Sequence, residues 1–149
     1  MFSLITVSFL FTNMVKQTEF YLPEYPYGFH LVTHKIKEQL GDLPDEGILH
    51  LFIKHTSAGL TLNENADYTV RQDFETFFNC WIPENFPGIR HNYEGSDDMP
   101  AHIKSTITGQ SIIIPISKGE LNLGIWQGIY LCEFRHDGGR RKLTATIIF

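Results

Sequence analysis

The sequence is poor in cysteine. Cys80 and Cys132 are far apart and form no CxxC pair, which excludes a disulfide-dense secreted scaffold and any cysteine-rich metal motif; both read as buried free thiols. Charge is sparse and tilted to one sign. Twelve Lys and Arg face seventeen Asp and Glu, a formal net charge of −5 with His neutral, a balance that gives no electrostatic reason to hold a long nucleic-acid backbone. A local basic pocket for a small phosphorylated molecule is compatible with that balance. The apolar stretch at residues 1–11 is shorter than the ~18 residues of a spanning helix. It has no Lys or Arg ahead of it and no small-residue cleavage site behind it, so a secretory signal is not expected. Neither a nucleic-acid nor a membrane partner is expected, and the expected location is cytoplasmic. Met14 reads as the functional start, with residues 1–13 as an N-terminal extension.

What is present is a large aromatic core. Hydrophobic residues make up 42% of 149 and aromatics 13%, twelve of them Phe, enough for one domain over residues 14–149 without staples. Residues 15–22 alternate as a strand ending at Pro23. Phe29, Val32, Ile36 and Leu40 recur at helical spacing, and Gly41 stops the helix. Residues 47–55 form a strand with Leu49, Leu51, Ile53 and His55 on one face and Ile48, His50 and Phe52 on the other. Val70, Phe74, Phe77, Phe78 and Trp81 predict a second helix over residues 68–81, capped by Asp67 and closed by Pro83. Residues 83–98 read as a long loop, followed by a short helix from Pro100 to Gly109 that Asp97 or Asp98 caps.

The last third reads as β. Ile112, Ile113, Ile114 and Ile116 make a buried strand in which Pro115 marks an edge or bulge. Residues 125–135 form a two-faced strand: Trp126, Tyr130, Cys132 and Phe134 on one side, Gln127, Ile129, Leu131, Glu133 and Arg135 on the other. Asp137-Gly138-Gly139 turns the chain into a closing strand over residues 143–149. The class is α+β, with mainly antiparallel sheets and about three helices.

Of seven histidines, His55, His91 and His102 fall at element ends or in the long loop, where sites are built. Imidazole suits zinc and other borderline metals, and a shared metal site is the sharp reading; loop-stabilising hydrogen bonds are the bland one. His30 and His34, one turn apart, show no third ligand. Asp98 can hold an imidazole in one tautomer or bind the metal itself. Glu64 lies in what reads as a polar loop, as a general-base candidate. Glu133 shares a row with Ile129 and Leu131, so it must be paired or face a cavity, and Arg135 is its neighbour on that face. Thr56-Ser57 lacks the GxSxG elbow, and no P-loop, GxGxxG or zinc-finger spacing occurs.

Four polar motifs carry a resemblance. His55-Thr56-Ser57, Asn63-Glu64-Asn65-Ala66-Asp67, Glu94-Gly95 with Asp97-Asp98-Met99-Pro100-Ala101-His102-Ile103-Lys104, and Trp126-Gln127-Gly128-Ile129-Tyr130 together resemble the secondary thiamine-phosphate synthase, or YjbQ-like, family across nearly all of residues 14–149. The resemblance implies an α+β sandwich forming a homotrimer around a threefold axis, with a His/Asp/Asn-rich pocket that binds a metal in some members. It implies an enzyme, a transferase that joins a pyrimidine pyrophosphate to a thiazole phosphate and releases pyrophosphate. On that reading His55, His91 and His102 hold a divalent metal, zinc or magnesium. His55, Glu64, Asp98, Gln127 and Glu133 do the chemistry, while Ser57, Asn63, Asn65, Lys104 and Arg135 bind the phosphorylated substrate. Ile125 stands where the family's Gly-Thr-Trp-Gln motif has Thr, and Tyr68 where a Pro is usual. Two other functions fit the same residues: a metal-dependent hydrolase of a phosphate ester or amide, and a non-catalytic trimeric protein binding a metabolite or metal.

Overall fold

The computed structural model describes residues 14–149; the reading of residues 1–13 as an extension lies outside the described residues. In chain order the elements are β1 (Val15–Tyr21), β2 (Gly28–Leu31), α1 (Thr33–Leu40), β3 (Glu46–Ile53), β4 (Ala58–Glu64), α2 (Tyr68–Trp81), α3 (Asp98–Thr108), β5 (Ser111–Ser117), β6 (Glu120–Leu121), β7 (Gln127–Glu133) and β8 (Lys142–Ile148). Two antiparallel sheets result, one ordered β1-β8-β3-β5-β6 and the other β2-β7-β4. The α+β class with three helices is as expected. No helix among the described residues is long and apolar enough to cross a membrane.

Strand period explains the layering, because alternate side chains face opposite sides. Leu49, Leu51 and Ile53 of β3 join Ile114 and Ile116 of β5 and Leu143, Ala145 and Ile147 of β8 in the main core, which meets Leu60, Ile129 and Leu131 of the second sheet. The opposite face of β7 supplies Tyr130 and Cys132, with Phe134 just beyond, to a second core under α2 and α3 with Phe29, Phe78 and Ala101. The central strand of the small sheet is therefore buried on both sides, the two-faced pattern expected for it.

Several expectations need correction. Phe29 belongs to β2 rather than to the first helix, which begins only at Thr33; its ring faces Phe74 and Phe78 at centroid distances of 5.3 and 5.4 Å. The segment after His55 contains β4, paired with β7 along its whole length. Pro115 sits inside a paired strand, but its carbonyl accepts from Asn122 N–H on the side of the two-residue β6, so its missing donor faces the short edge. Cys80 is exposed, and only Cys132 is a buried thiol. Gly59 lets α3 approach β4: a Cβ there would lie 2.0 Å from Thr108 Oγ1 and 2.9 Å from the Gly109 carbonyl.

Candidate metal centre

The long loop runs from the end of α2 to Asp98 without regular structure and is pinned at its far end by Arg135. Arg135 Nε donates to Asp97 Oδ2 at 3.0 Å, its Nη1 pairs with Asp98 Oδ1, and its Nη2 donates to the Glu94 carbonyl at 2.8 Å. Burial raises the Asp97 pKa, but the His136 N–H and the Arg135 guanidinium outweigh it, and the net shift is downward. Asp97 occupies the position before α3 yet makes no side-chain cap there. Its carboxylate is engaged by Arg135 and His136 instead, which corrects the capping role expected for it.

This clamp sets Asp98 at the first position of α3, where the helix dipole favours an anion. Asp98 is 2% exposed. His102 follows one turn later on the same helix face, and the loop brings His91 alongside. His91 Nε2 lies 3.0 Å from Asp98 Oδ2 and His102 Nε2 lies 3.5 Å from Asp98 Oδ1. The two imidazole rings are 5.2 Å apart between centroids. One ligand atom from each of His91, Asp98 and His102 falls within 4.8 Å of the others. His102 Nδ1 lies 2.9 Å from the Thr56 carbonyl, which can only accept, so the ring proton sits on Nδ1. His102 Nε2 thereby faces Asp98 Oδ1, the oxygen that also pairs with Arg135, and either a metal ion or a second ring proton satisfies such a contact.

His55 stands outside this set. Its Nε2 accepts from Lys142 N–H at 2.8 Å and its Nδ1 is 3.3 Å from Arg141 Nη1. Burial first, and then the Arg141 charge, hold its pKa below the ordinary imidazole value. The structure thus assembles His91–Asp98–His102 where the sequence reading had His55, His91 and His102. Glu133, fully buried, is paired with Arg141 through two guanidinium nitrogens. Arg135 gives it only a backbone N–H, at 3.0 Å, so the expected Glu133–Arg135 ion pair is replaced. Arg141 also donates to Ser57 Oγ at 3.3 Å. Sequence reasoning missed Arg141, although the Asp137-Gly138-Gly139 turn returns the chain beside Glu133. Gly138 permits that return, since a Cβ there would lie 2.5 Å from both Arg141 Nη2 and Glu133 Oε1.

Lys104, a buried residue of α3, donates to Tyr27 Oη at 2.7 Å and to Asn79 Oδ1 at 2.9 Å. Burial lowers its pKa, and burial with the nearby Glu75 pushes the Tyr27 phenol up to about 12. Neither Lys104 nor Arg135 therefore presents a free charge to a phosphate. Asn63, Glu64, Asn65 and Gln127 form a separate group at the other end of the β4–β7 ladder. There Asn63 pairs with Gly128 and Glu64 with Gln127, whereas Ala58 pairs with Glu133 at the near end. Six residues of strand separate the two ends, about 20 Å at the usual rise. Asn65 Nδ2 donates to the Gln127 carbonyl at 2.9 Å, Gln127 Oε1 accepts from Gly124 N–H at 2.8 Å, and Tyr130 Oη donates to the Glu64 carbonyl. Within one chain, then, the expected residues divide into a histidine centre and a remote amide–carboxylate group.

A two-sheet α+β sandwich with two helices over the smaller sheet and a His–Asp–His cluster at an outer helix start defines the class of protein. The family follows from comparison: the chain belongs to the YjbQ family, described as UPF0047 protein YjbQ-like, whose model matches residues 18–149. It is 52% identical over 128 residues to the UPF0047 protein YjbQ of Salmonella typhimurium, covering 85% of this chain and 92% of that protein. It is 53% identical over 122 residues to YjbQ of Escherichia coli, covering 80% of this chain and 88% of that one. A conserved hypothetical protein from Thermus thermophilus superposes with a TM-score of 0.75 at 34% identity, covering 85% of this chain and 97% of its own. A protein of unknown function from Sulfolobus solfataricus shares the fold, with a TM-score of 0.77 at 21% identity and coverage of 91% and 98%.

Proposed function

We propose that the chain is a metal-dependent enzyme acting on a small phosphorylated molecule, with His91, Asp98 and His102 holding a divalent ion. The observation that carries this reading is the convergence of one ligand atom each from His91, Asp98 and His102 within 4.8 Å, with the His102 ring oriented through Nδ1 by the Thr56 carbonyl. A ligating imidazole usually has its other nitrogen oriented by a carbonyl or carboxylate in this way. Two imidazoles and one carboxylate favour zinc over magnesium, which prefers oxygen donors. When bound, the ion supplies a Lewis acid for a phosphoryl oxygen. The chain's own residues orient the donors: Arg135 holds Asp98, and Thr56 fixes the His102 tautomer. Arg90, exposed and beside His91 on the loop, is the cation suited to meet a phosphate, in place of Lys104 and Arg135.

The resemblance to secondary thiamine-phosphate synthases gives the finer reading, joining of a pyrimidine pyrophosphate to a thiazole phosphate. Isothermal titration should find about one zinc per chain in the wild type, the stoichiometry of a single mononuclear centre. His102→Ala should lose that binding while its circular dichroism stays unchanged. Equal zinc retention in His102→Ala refutes the ligand assignment. Metal-loaded protein given both phosphorylated heterocycles should release pyrophosphate and a joined product. Free phosphate without joining indicates hydrolysis, and ligand-induced thermal stabilisation without turnover indicates a binding protein.

We also propose that the chain assembles as a homotrimer through the outer face of the larger sheet. Val15, Ile148, Ile48 and Pro115 lie in one cross-strand row, and Ile113 pairs with His50 in the next. Ile113 is 64% and Val15 63% exposed, and this exposed apolar row, bordered by Gln17, Thr146 and His50 in the next row, is the surface offered for assembly.

A further inference from the structure

A cavity of about 500 Å³ opens beside the histidine centre, between the end of α2, the long loop and α3. Its walls include Trp81, Phe86, Ile89, Met99 and Ile103, and its polar lining includes Arg90 and His91. His91 thus belongs both to the cavity and to the His91–Asp98–His102 cluster. Helix α3 repeats the connection. Asp98 and His102 are one turn apart, and Met99 and Ile103 are the same pair moved along by a single residue. One residue is about 100° of helical rotation, so the ligand stripe and the apolar wall are neighbouring faces of one helix.

The loop wall is anchored as well as apolar. Glu84 meets His136 Nε2 at 2.7 Å and Ser96 Oγ at 3.3 Å, and the far end is held by Arg135. A concave, mostly apolar chamber of this size with a few polar groups on one side has the form of a small-molecule site.

We propose that this cavity is the substrate chamber of the histidine centre, and that it takes a small molecule with a ring-sized apolar body and an anionic head. The body packs between Trp81 and Ile103, and the head lies at the His91 and Arg90 side. The assignment rests on the metal reading above and adds the chemical class of the ligand to it.

Calorimetry on the zinc-loaded full chain tests it with two probes that share a head, phenylphosphonate and methylphosphonate. Burial of the ring should make the phenyl compound bind roughly tenfold or more tightly. Ile103→Trp, which fills the chamber, should keep zinc and the methylphosphonate affinity but lose the phenyl advantage. Trp81→Ala, at an exposed position and removing the opposite wall, should also reduce that advantage and serves if the first variant does not fold. Equal affinities for both probes in a wild type that retains zinc overturn the chamber and leave the metal centre standing. Failure of the wild type to retain zinc overturns the metal reading and this assignment with it. Disassembly of the oligomer by Ile103→Trp, read by light scattering, shows the cavity to be filled by a second copy and likewise overturns the proposal.

Discussion

At His55 the ring nitrogens meet the Lys142 N–H and the Arg141 guanidinium, and the imidazole is built into the fold as the neutral form. Its lowered pKa gives a definite pH dependence. The stabilisation is complete above the ordinary imidazole value of about 6.5. It is lost as pH falls from there through the lower folded value, because the unfolded chain takes up the proton first. Urea unfolding followed between neutral and mildly acid pH should show stability falling in the wild type, and His55→Gln should flatten that part of the profile. An identical slope in the two proteins would remove His55 from the account. His102, held by the same β3–β4 connection, is fixed in the opposite sense, with Nδ1 donating to the Thr56 carbonyl and Nε2 turned toward Asp98. Sequence position identified all three histidines as unusual but could not separate these tasks. The difference lies in which backbone groups face each ring, and those groups come from Lys142 and Thr56, 87 and 46 residues away respectively.

Among the elements, α2 was the most legible because its signals are local and agree. Asp67 caps it by accepting from Thr69 N–H at 2.8 Å, and the helix spans Tyr68–Trp81, the range its apolar stripe predicts. Asp67→Ala should lower stability by removing the cap, measurable as a lower urea midpoint with an unchanged slope. A variant as stable as wild type would mean that the first turn is held by packing alone. Local signals failed where tertiary contacts decide. Phe29 continues a helical stripe in sequence, yet pairing of β2 with β7 places it in a strand. β4 carries Thr61, Asn63 and Glu64 and so reads as a polar loop, although Ala58, Gly59 and Leu60 are buried. The polar half of that strand is the remote amide–carboxylate group, so functional-looking composition concealed the strand that carries it.

For the whole molecule, the antiparallel α+β class was legible from the strands and the alternation of β3, whereas the sandwich came from the family resemblance; β5, read as buried throughout, in fact alternates, with Ile114 and Ile116 in the main core and Ile113 64% exposed. The outward residues of the same strands lead to the assembly prediction. Ile113→Asp should break the proposed trimer into monomers in light scattering while leaving the far-ultraviolet dichroism intact, since its side chain is exposed in the single chain. A mass unchanged by the substitution would place the subunit contact elsewhere. The division of the expected site residues between two ends of the β4–β7 ladder was not legible at all, because strand register is a property of the pairing and not of either segment.

Strand β7 lends one face to each of the two cores. A shared strand of that kind acts as a party wall: neither the helical layer nor the larger sheet can come away without exposing the lining of the other. The histidine centre, mounted on the helical layer, is thereby coupled to the cohesion of the whole sandwich, and its donors keep their alignment for as long as the molecule remains folded as one unit.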